Sequence, residues 1–200
     1  MRKGGRVARD VRRRMIDQAV VLLASRGPHG ASFNEVLQAS GAPRGSLYHH
    51  FPGGKDELIL AAMDAASRRA AELLEPFRGR PADQTAEAFI ALWRAVLIQS
   101  KLEAGCSVLA VTVASDSPEL RGRAGRIFRA WRELLTGLLS EGGVAPERAE
   151  GLAASLISAC EGAVALARAE HSLEPFDLAA AEQVRAIRGA MIGQPRPPDA

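Results

Sequence analysis

Residues 32–58, SFNEVLQASGAPRGSLYHHFPGGKDEL, constrain the fold more than any other stretch of this chain. Ser32 with Glu35 three positions on forms an S-x-x-E capping box, which satisfies the free amides at a helix start. Val36 and Leu37 give the short helix that follows one apolar side, and it runs to about Ser40. Gly41 then supplies a tight turn, because glycine adopts the left-handed backbone without a Cβ clash. Pro43 suits the first position of the next helix, where no amide hydrogen is needed. Leu47 and Phe51 turn that helix inward, and Pro52-Gly53-Gly54 closes it. Two short helices hinged at a glycine predict a helix-turn-helix. The outward mixture on the second helix (small residues, hydroxyls, Arg44, Tyr48 and two histidines) suits entry into a DNA major groove. Small residues permit close approach, and the polar side chains reach base edges and phosphates.

The remaining segments also predict helices, since Ala, Leu, Glu and Arg dominate and alternating runs are rare. Residues 1–8 read as a basic arm. Arg9–Arg26 predicts a first helix, with Val11, Met15, Ala19, Leu22 and Leu23 on one face and Gly27-Pro28-His29-Gly30 as its stop. A long fourth helix runs from Lys55 to about Phe77, and RGRPAD breaks the chain before a fifth that ends near Ser100. Gly105–Ala114 predicts an apolar sixth helix. Ser117-Pro118-Glu119 starts a seventh, Pro146 an eighth that reaches about His171, and Asp177 is expected to cap a ninth that ends near Met191. The prediction is an all-α, nine-helix, two-domain architecture: 1–58 a basic arm and helix-turn-helix domain, 59–192 a helical effector-binding and dimerisation domain, 193–200 a disordered tail.

Charge supports the division. Residues 1–58 carry ten Lys/Arg against five Asp/Glu (+5), while 59–200 carry sixteen against eighteen (−2). A basic head on a mildly acidic body expects a polyanion at the head; a solvated basic terminus is the plainer alternative. The two cysteines, Cys106 and Cys160, stand far apart in apolar stretches and predict neither a disulfide framework nor a zinc site. The N-terminal MRKGGRVARDVRRRM lacks the apolar core of a signal peptide. The longest apolar candidate, Gly151–Ala169, is interrupted by Glu161, so no membrane span is expected. These features predict a cytoplasmic protein with no cofactor and no metal.

The run Arg44-Gly45-Ser46-Leu47-Tyr48-His49-His50-Phe51, followed by Lys55-Asp56-Glu57-Leu58 and preceded by Gly27, Glu35-Val36 and Gly41, resembles the DNA-binding domain of TetR-family transcriptional regulators. The motifs cover about residues 9–60, and the number and order of helices extend the likeness along the chain. GCSVLAVTVASDSPEL is similar to the LmrA/YxaF-like branch of that family. The resemblance implies an operator-binding homodimer whose C-terminal body takes a small effector. Pro43 departs from it, because many relatives carry Ser or Thr there and the hydroxyl contact is lost.

Each residue of the motif also has a physical reading. Ser32 is an N-cap, and the resemblance adds a phosphate contact at that helix N-terminus. Tyr48 either donates its hydroxyl to a phosphate or is a core aromatic with a wet tip. His49 points away from the Leu47/Phe51 face, towards a phosphate or base edge, whereas His50 has a structural alternative. Arg44 can read guanine bidentately or hold a phosphate, Ser46 lies beside it, and Gly45 allows close approach to the groove floor. Lys55 sits at a helix N-terminus, where the macrodipole disfavours a cation, so it is read as a clamp on a phosphate wedged against that end. Arg9, Arg12, Arg13 and Arg14 add nonspecific attraction or are simply solvated.

In the body, Phe89, Trp93, Leu97, Leu109, Val113, Phe128 and Trp131 fall at helical spacings and are candidates to line a pocket for an apolar effector, with plain core as the alternative for each. Cys106, Thr112 and Glu161 are candidate polar anchors. Gly151, Ala153, Ala154, Ser155, Ser158, Ala159, Gly162 and Ala163 give the eighth helix a small-residue surface, which with the ninth would build an isologous homodimer contact. The expected function is a ligand-responsive regulator, a repressor released from a palindromic operator by a small hydrophobic effector. The alternatives are a nonspecific architectural DNA-binding protein and an all-α enzyme. For the latter, HExxH, a GxGxxG after a strand and a nucleophile elbow are all missing, and PGGKD departs from a P-loop at both ends.

Overall fold

A computed structural model describes residues 3–191, with side chains from residue 9 onward. It contains nine α-helices and no strand among the described residues. The expected tail, 193–200, lies outside the described residues, as do the first two residues of the expected arm. The backbone of residues 3–8 is not an arm but the start of the first helix, α1 (Lys3–Gly30). No proline interrupts the segment, so the helix propagates through it. Gly27 breaks α1 at φ 69°, ψ −176°, a conformation that glycine adopts without strain.

The helices α2 (Phe33–Ser40), α3 (Ser46–His50) and α4 (Lys55–Leu74) follow. Gly41 ends α2 in the left-handed region, φ 63°. Pro43 does not open α3 as its first residue. Pro43 to Gly45 form a turn in which the Ser46 amide donates to the Pro43 carbonyl at 2.9 Å, and this i→i+3 bond delays the regular helix. Helix α4 stops at Leu74 before a 3-10 turn, Glu75–Phe77, because Pro76 has no amide hydrogen to continue the ladder.

The body contains α5 (Ala82–Gln99), α6 (Ser107–Ala114), α7 (Pro118–Glu141), α8 (Pro146–Glu170) and α9 (Glu174–Arg188). The start of α9 corrects the expected cap at Asp177. Ser172 accepts from the Glu174 amide at 3.1 Å, Pro175 stands in the first turn, and Asp177 instead pairs with Arg94 at 2.9 Å and 3.2 Å. Proline's fixed φ favours the earlier start.

The chain groups into two compact units. The first takes the residues up to Arg69 with Cys106–Ile127, and the second takes Ala70–Gly105 with Phe128 onward. In the first, α1 packs on α2 and α6, burying Met15, Ala19, Leu23, Val36, Leu47, Phe51 and Val108. In the second, α8 packs on α9 and α5 around Leu135, Leu138, Leu156 and Phe176. Helix α8 is long and apolar enough to cross a membrane by length and composition alone, and 44% of that window is buried inside the protein.

Candidate nucleic-acid interface and effector pocket

The recognition segment is built from the Ser32 cap outward. The Ser32 hydroxyl accepts from the Glu35 amide at 3.3 Å, and the Glu35 carboxylate accepts from the Ser32 amide at 3.1 Å and its hydroxyl at 2.8 Å. The Ser32 hydroxyl and backbone bonds, and then the Arg26 guanidinium, hold the Glu35 carboxyl below its ordinary pKa. The reciprocal cap fixes the first turn of α2, and with it the platform on which α3 stands.

Tyr48 is 70% exposed, so it is not a core aromatic. Its ring meets Phe33 edge-on, with centroids 5.9 Å apart and planes at 80°. Phe33 thus holds the ring while the hydroxyl projects into solvent. This support was not read from the sequence, although an aromatic directly after an N-cap is the signal that could have pointed to it. Arg44, Gly45 and His49 are exposed, Ser46 and Lys55 are half-buried, and Leu47 and Phe51 are buried beneath them. The Ser46 hydroxyl donates to the Pro43 carbonyl at 2.5 Å, which leaves its lone pairs outward. Neither Arg44 nor Lys55 makes an ion pair among the described residues. His50 packs against His49 at 5.0 Å. Burial, and after it the neighbouring His49 and Arg12, lowers the His50 pKa and favours the neutral ring. Arg12 lies over the Phe51 ring at 5.0 Å, a cation–π contact that ties α1 to the end of α3. A spacing of 39 residues hides that contact from sequence reading.

The second unit brings four of the expected pocket residues together. Phe89 meets Trp93 at 6.2 Å, Trp93 meets Trp131 at 6.4 Å, and Trp131 meets Phe128 at 5.6 Å, each edge to face. Phe89, Trp93 and Leu97 share the buried stripe of α5. Glu161 is 8% exposed on α8 in the same unit. The other four expected residues lie on or beside α6 in the first unit. There the Cys106 sulfur accepts from the Leu109 amide at 3.3 Å, and the Thr112 hydroxyl donates to the Val108 carbonyl at 2.9 Å. Leu109 is half-buried, and Val113 is 75% exposed. A crevice between α8 and α9 is lined by Ala159, Cys160, Ala163, Phe176, Ala180 and Gln183, and none of the four aromatics borders it. No group of three or more His, Cys, Asp or Glu gathers to hold a metal among the described residues.

Comparisons with known proteins match both the N-terminal and the C-terminal parts of the chain. Residues 15–62 match the family model described as bacterial regulatory proteins, tetR family. Residues 82–182 match the C-terminal domain model of LmrA/YxaF-like transcriptional regulators. An HTH-type transcriptional regulator of Mycobacterium tuberculosis is 36% identical over 174 residues, covering 84% of this chain and 89% of the relative. The HTH-type regulator YxaF of Bacillus subtilis is 30% identical over 179 residues, covering 88% and 93%. Among solved structures, a TetR transcriptional regulator from Chloroflexus aurantiacus superposes with a TM-score of 0.75 at 29% identity, covering 93% of this chain and 98% of that one.

Proposed function

Because the chain belongs to the TetR family of DNA-binding bacterial transcriptional regulators, we propose that it is a cytoplasmic, ligand-responsive repressor. Residues 1–58 read the operator, and residues 59–192 bind the effector and dimerise. The observation that carries the DNA reading is the outward face of α3, where Tyr48 stands on Phe33 next to exposed His49, with exposed Arg44 in the turn that precedes the helix. In this reading Ser32, Tyr48, His49 and Lys55 contact phosphates. Arg44 and Ser46 reach towards base edges, and Gly45 lets the backbone approach.

A single head reads half a site, so a dimer places two heads in successive major grooves about 34–36 Å apart. The dimer contact is assigned to α8 and α9. Gly151, Ser155, Ser158 and Gly162 form an exposed small-residue stripe along α8, while Leu166 and Leu178 are 53% and 64% exposed. A partner helix approaches closest over small residues, and exposed leucines add the apolar area that an isologous contact buries.

An apolar effector at the aromatic cluster shifts α4 and changes the spacing of the heads. A coupling of about 1–3 kcal/mol suffices, since it changes operator affinity roughly 5–150-fold. The test is selection of the purified protein on random duplex DNA at near-physiological salt, followed by sequencing. The expected result is an inverted repeat with half-sites about one turn apart. Retention of DNA with no enriched sequence would replace the regulator by a nonspecific binder.

A further inference from the structure

Two residues that lead into α3 are not explained by the local backbone. Pro43 is exposed and stands at the first place of the turn 43–46, where its carbonyl accepts from the Ser46 amide at 2.9 Å and from the Ser46 hydroxyl at 2.5 Å. That place in a turn favours Asp, Asn or Ser, whose side chains bond to the backbone two residues on. The helix itself begins only at Ser46. Neither the turn nor the helix start therefore calls for a proline. Gly45 is the second case. Its φ of −69° and ψ of −17° suit any residue, and a Cβ there would meet nothing within 4 Å. The fold has room for a side chain at Gly45 and carries none.

A surface that meets a duplex closely accounts for both. A recognition helix reads base edges with its opening residues. Here those residues offer a groove four different things. Arg44 is a forked donor for the O6 and N7 of guanine. Gly45 presents only backbone. Ser46 has its hydroxyl hydrogen committed to the Pro43 carbonyl, so that side chain only accepts. Pro43 offers hydrocarbon, with no amide hydrogen beside it. The distinctive apolar mark on a base edge in the major groove is the C5 methyl of thymine. We infer that Pro43 reads this methyl group, so that each half-site carries a thymine within one base-pair step of the guanine held by Arg44. Neighbouring Cα atoms stand about 3.8 Å apart and base pairs stack about 3.4 Å apart, which sets that spacing. The inference rests on the DNA reading above and adds a named base to it. It also separates two kinds of contact, since a guanidinium weakens its hold as salt rises and a ring packed on a methyl group does not.

The experiment uses the full-length protein and the operator enriched by selection on random duplexes. Each thymine position is replaced in turn by deoxyuridine, in both half-sites together. That exchange removes one methyl group and leaves every donor and acceptor of the base pair in place. Binding is read by fluorescence anisotropy. Burial of one such carbon corresponds to about a fourfold change in affinity, so two half-sites should give a loss of roughly fifteenfold at one thymine position. The ratio between the two duplexes should stay constant from roughly 50 to 200 mM salt while both affinities fall. In P43S the same exchange should cost less than about twofold. R44A marks the guanine by relaxing the preference there, and the sensitive thymine should lie within one step of it.

A half-site in which no thymine responds to loss of its methyl group overturns the inference and leaves the DNA reading in place. So does a response that is unchanged in P43S, which assigns the methyl contact to another side chain such as Tyr48, or one that lies more than a step from the position marked by R44A. If the selection enriches no sequence, the inference falls together with the DNA reading. If P43S does not fold, the deoxyuridine scan of the wild-type protein and the position marked by R44A still decide.

Discussion

Arg123 donates through Nε to the Asp64 carboxylate at 2.6 Å, and this contact joins the start of α7 to the middle of α4 within the first unit. The hydrogen bond to Asp64 raises the Arg123 pKa above its ordinary value. The side chains are 37% and 28% exposed, so solvent screens the pair in part. A double-mutant cycle with Asp64→Asn and Arg123→Gln, read by urea unfolding, is expected to give a coupling of about 1 kcal/mol that shrinks at high salt. A coupling indistinguishable from zero would reduce the contact to a surface pair.

The Ser32 cap predicts a linked loss of stability and DNA binding. Ser32→Ala should destabilise the protein by about 1 kcal/mol and weaken operator binding further than that loss of stability explains. The Glu35 half of the cap has a pH signature. Its carboxyl is held low in the folded state, so its contribution is complete above the unfolded pKa and is lost as pH falls through the folded one. Thermal melts of wild type and Glu35→Gln should therefore differ at neutral pH and converge in acid.

Lys55→Ala should weaken binding to all sequences alike. On the proposed reading each Lys55 of a dimer holds one phosphate, so the log–log salt slope should become shallower by roughly 1.8. Arg44→Ala should instead relax the preference at particular positions of the half-site. A slope unchanged by Lys55→Ala would remove that residue from the interface.

Gly142 is irreplaceable on steric grounds. A Cβ there would stand 2.5 Å from the Ala82 amide nitrogen and 2.6 Å from the Arg80 carbonyl oxygen, both backbone atoms. The Ala82 amide also donates to the Gly142 carbonyl at 3.0 Å, so the segments cannot part freely. Gly142→Ala should cost about 1–3 kcal/mol. Gly137→Ala, inside α7 with nothing within 4 Å of the new Cβ, should stabilise by about 0.5–1 kcal/mol. Chemical denaturation of the two variants checks both signs.

Burial, and secondarily the neighbouring Glu161, pushes the Cys160 thiol up to about 12. At pH 8 it carries almost no thiolate, so an aromatic disulfide reagent should leave it unlabelled in the native protein and label it after denaturation. The folded state keeps the proton longer than the unfolded chain. This contribution to stability is therefore full below about pH 8.5, the unfolded value, and declines as pH rises towards 12. Rapid native labelling, read by mass spectrometry, tests the assignment.

The parts of this protein that were legible in the sequence depend on near neighbours. Ser32 and Glu35 are three residues apart, and their bonds follow from that spacing. Phe89, Trp93 and Leu97 stand four apart, so a single helix places them on one face. The reading of Asp177 failed for the opposite reason. Its partner, Arg94, is 83 residues away, and a carboxylate near a helix start looks like a cap until that partner is seen.

The sequence by itself therefore determined an all-helical chain, the cap and turn that aim α3, and the polar residues on that helix, because helix propensity, capping and periodicity act over a few residues. Only the tertiary structure decided that Phe33 supports Tyr48, that Arg12 covers Phe51, and that Trp93 meets Trp131 with both indole hydrogens inward and without an acceptor among the described residues. Those relationships depend on which helix faces pack together, and packing brings together side chains that no local spacing relates.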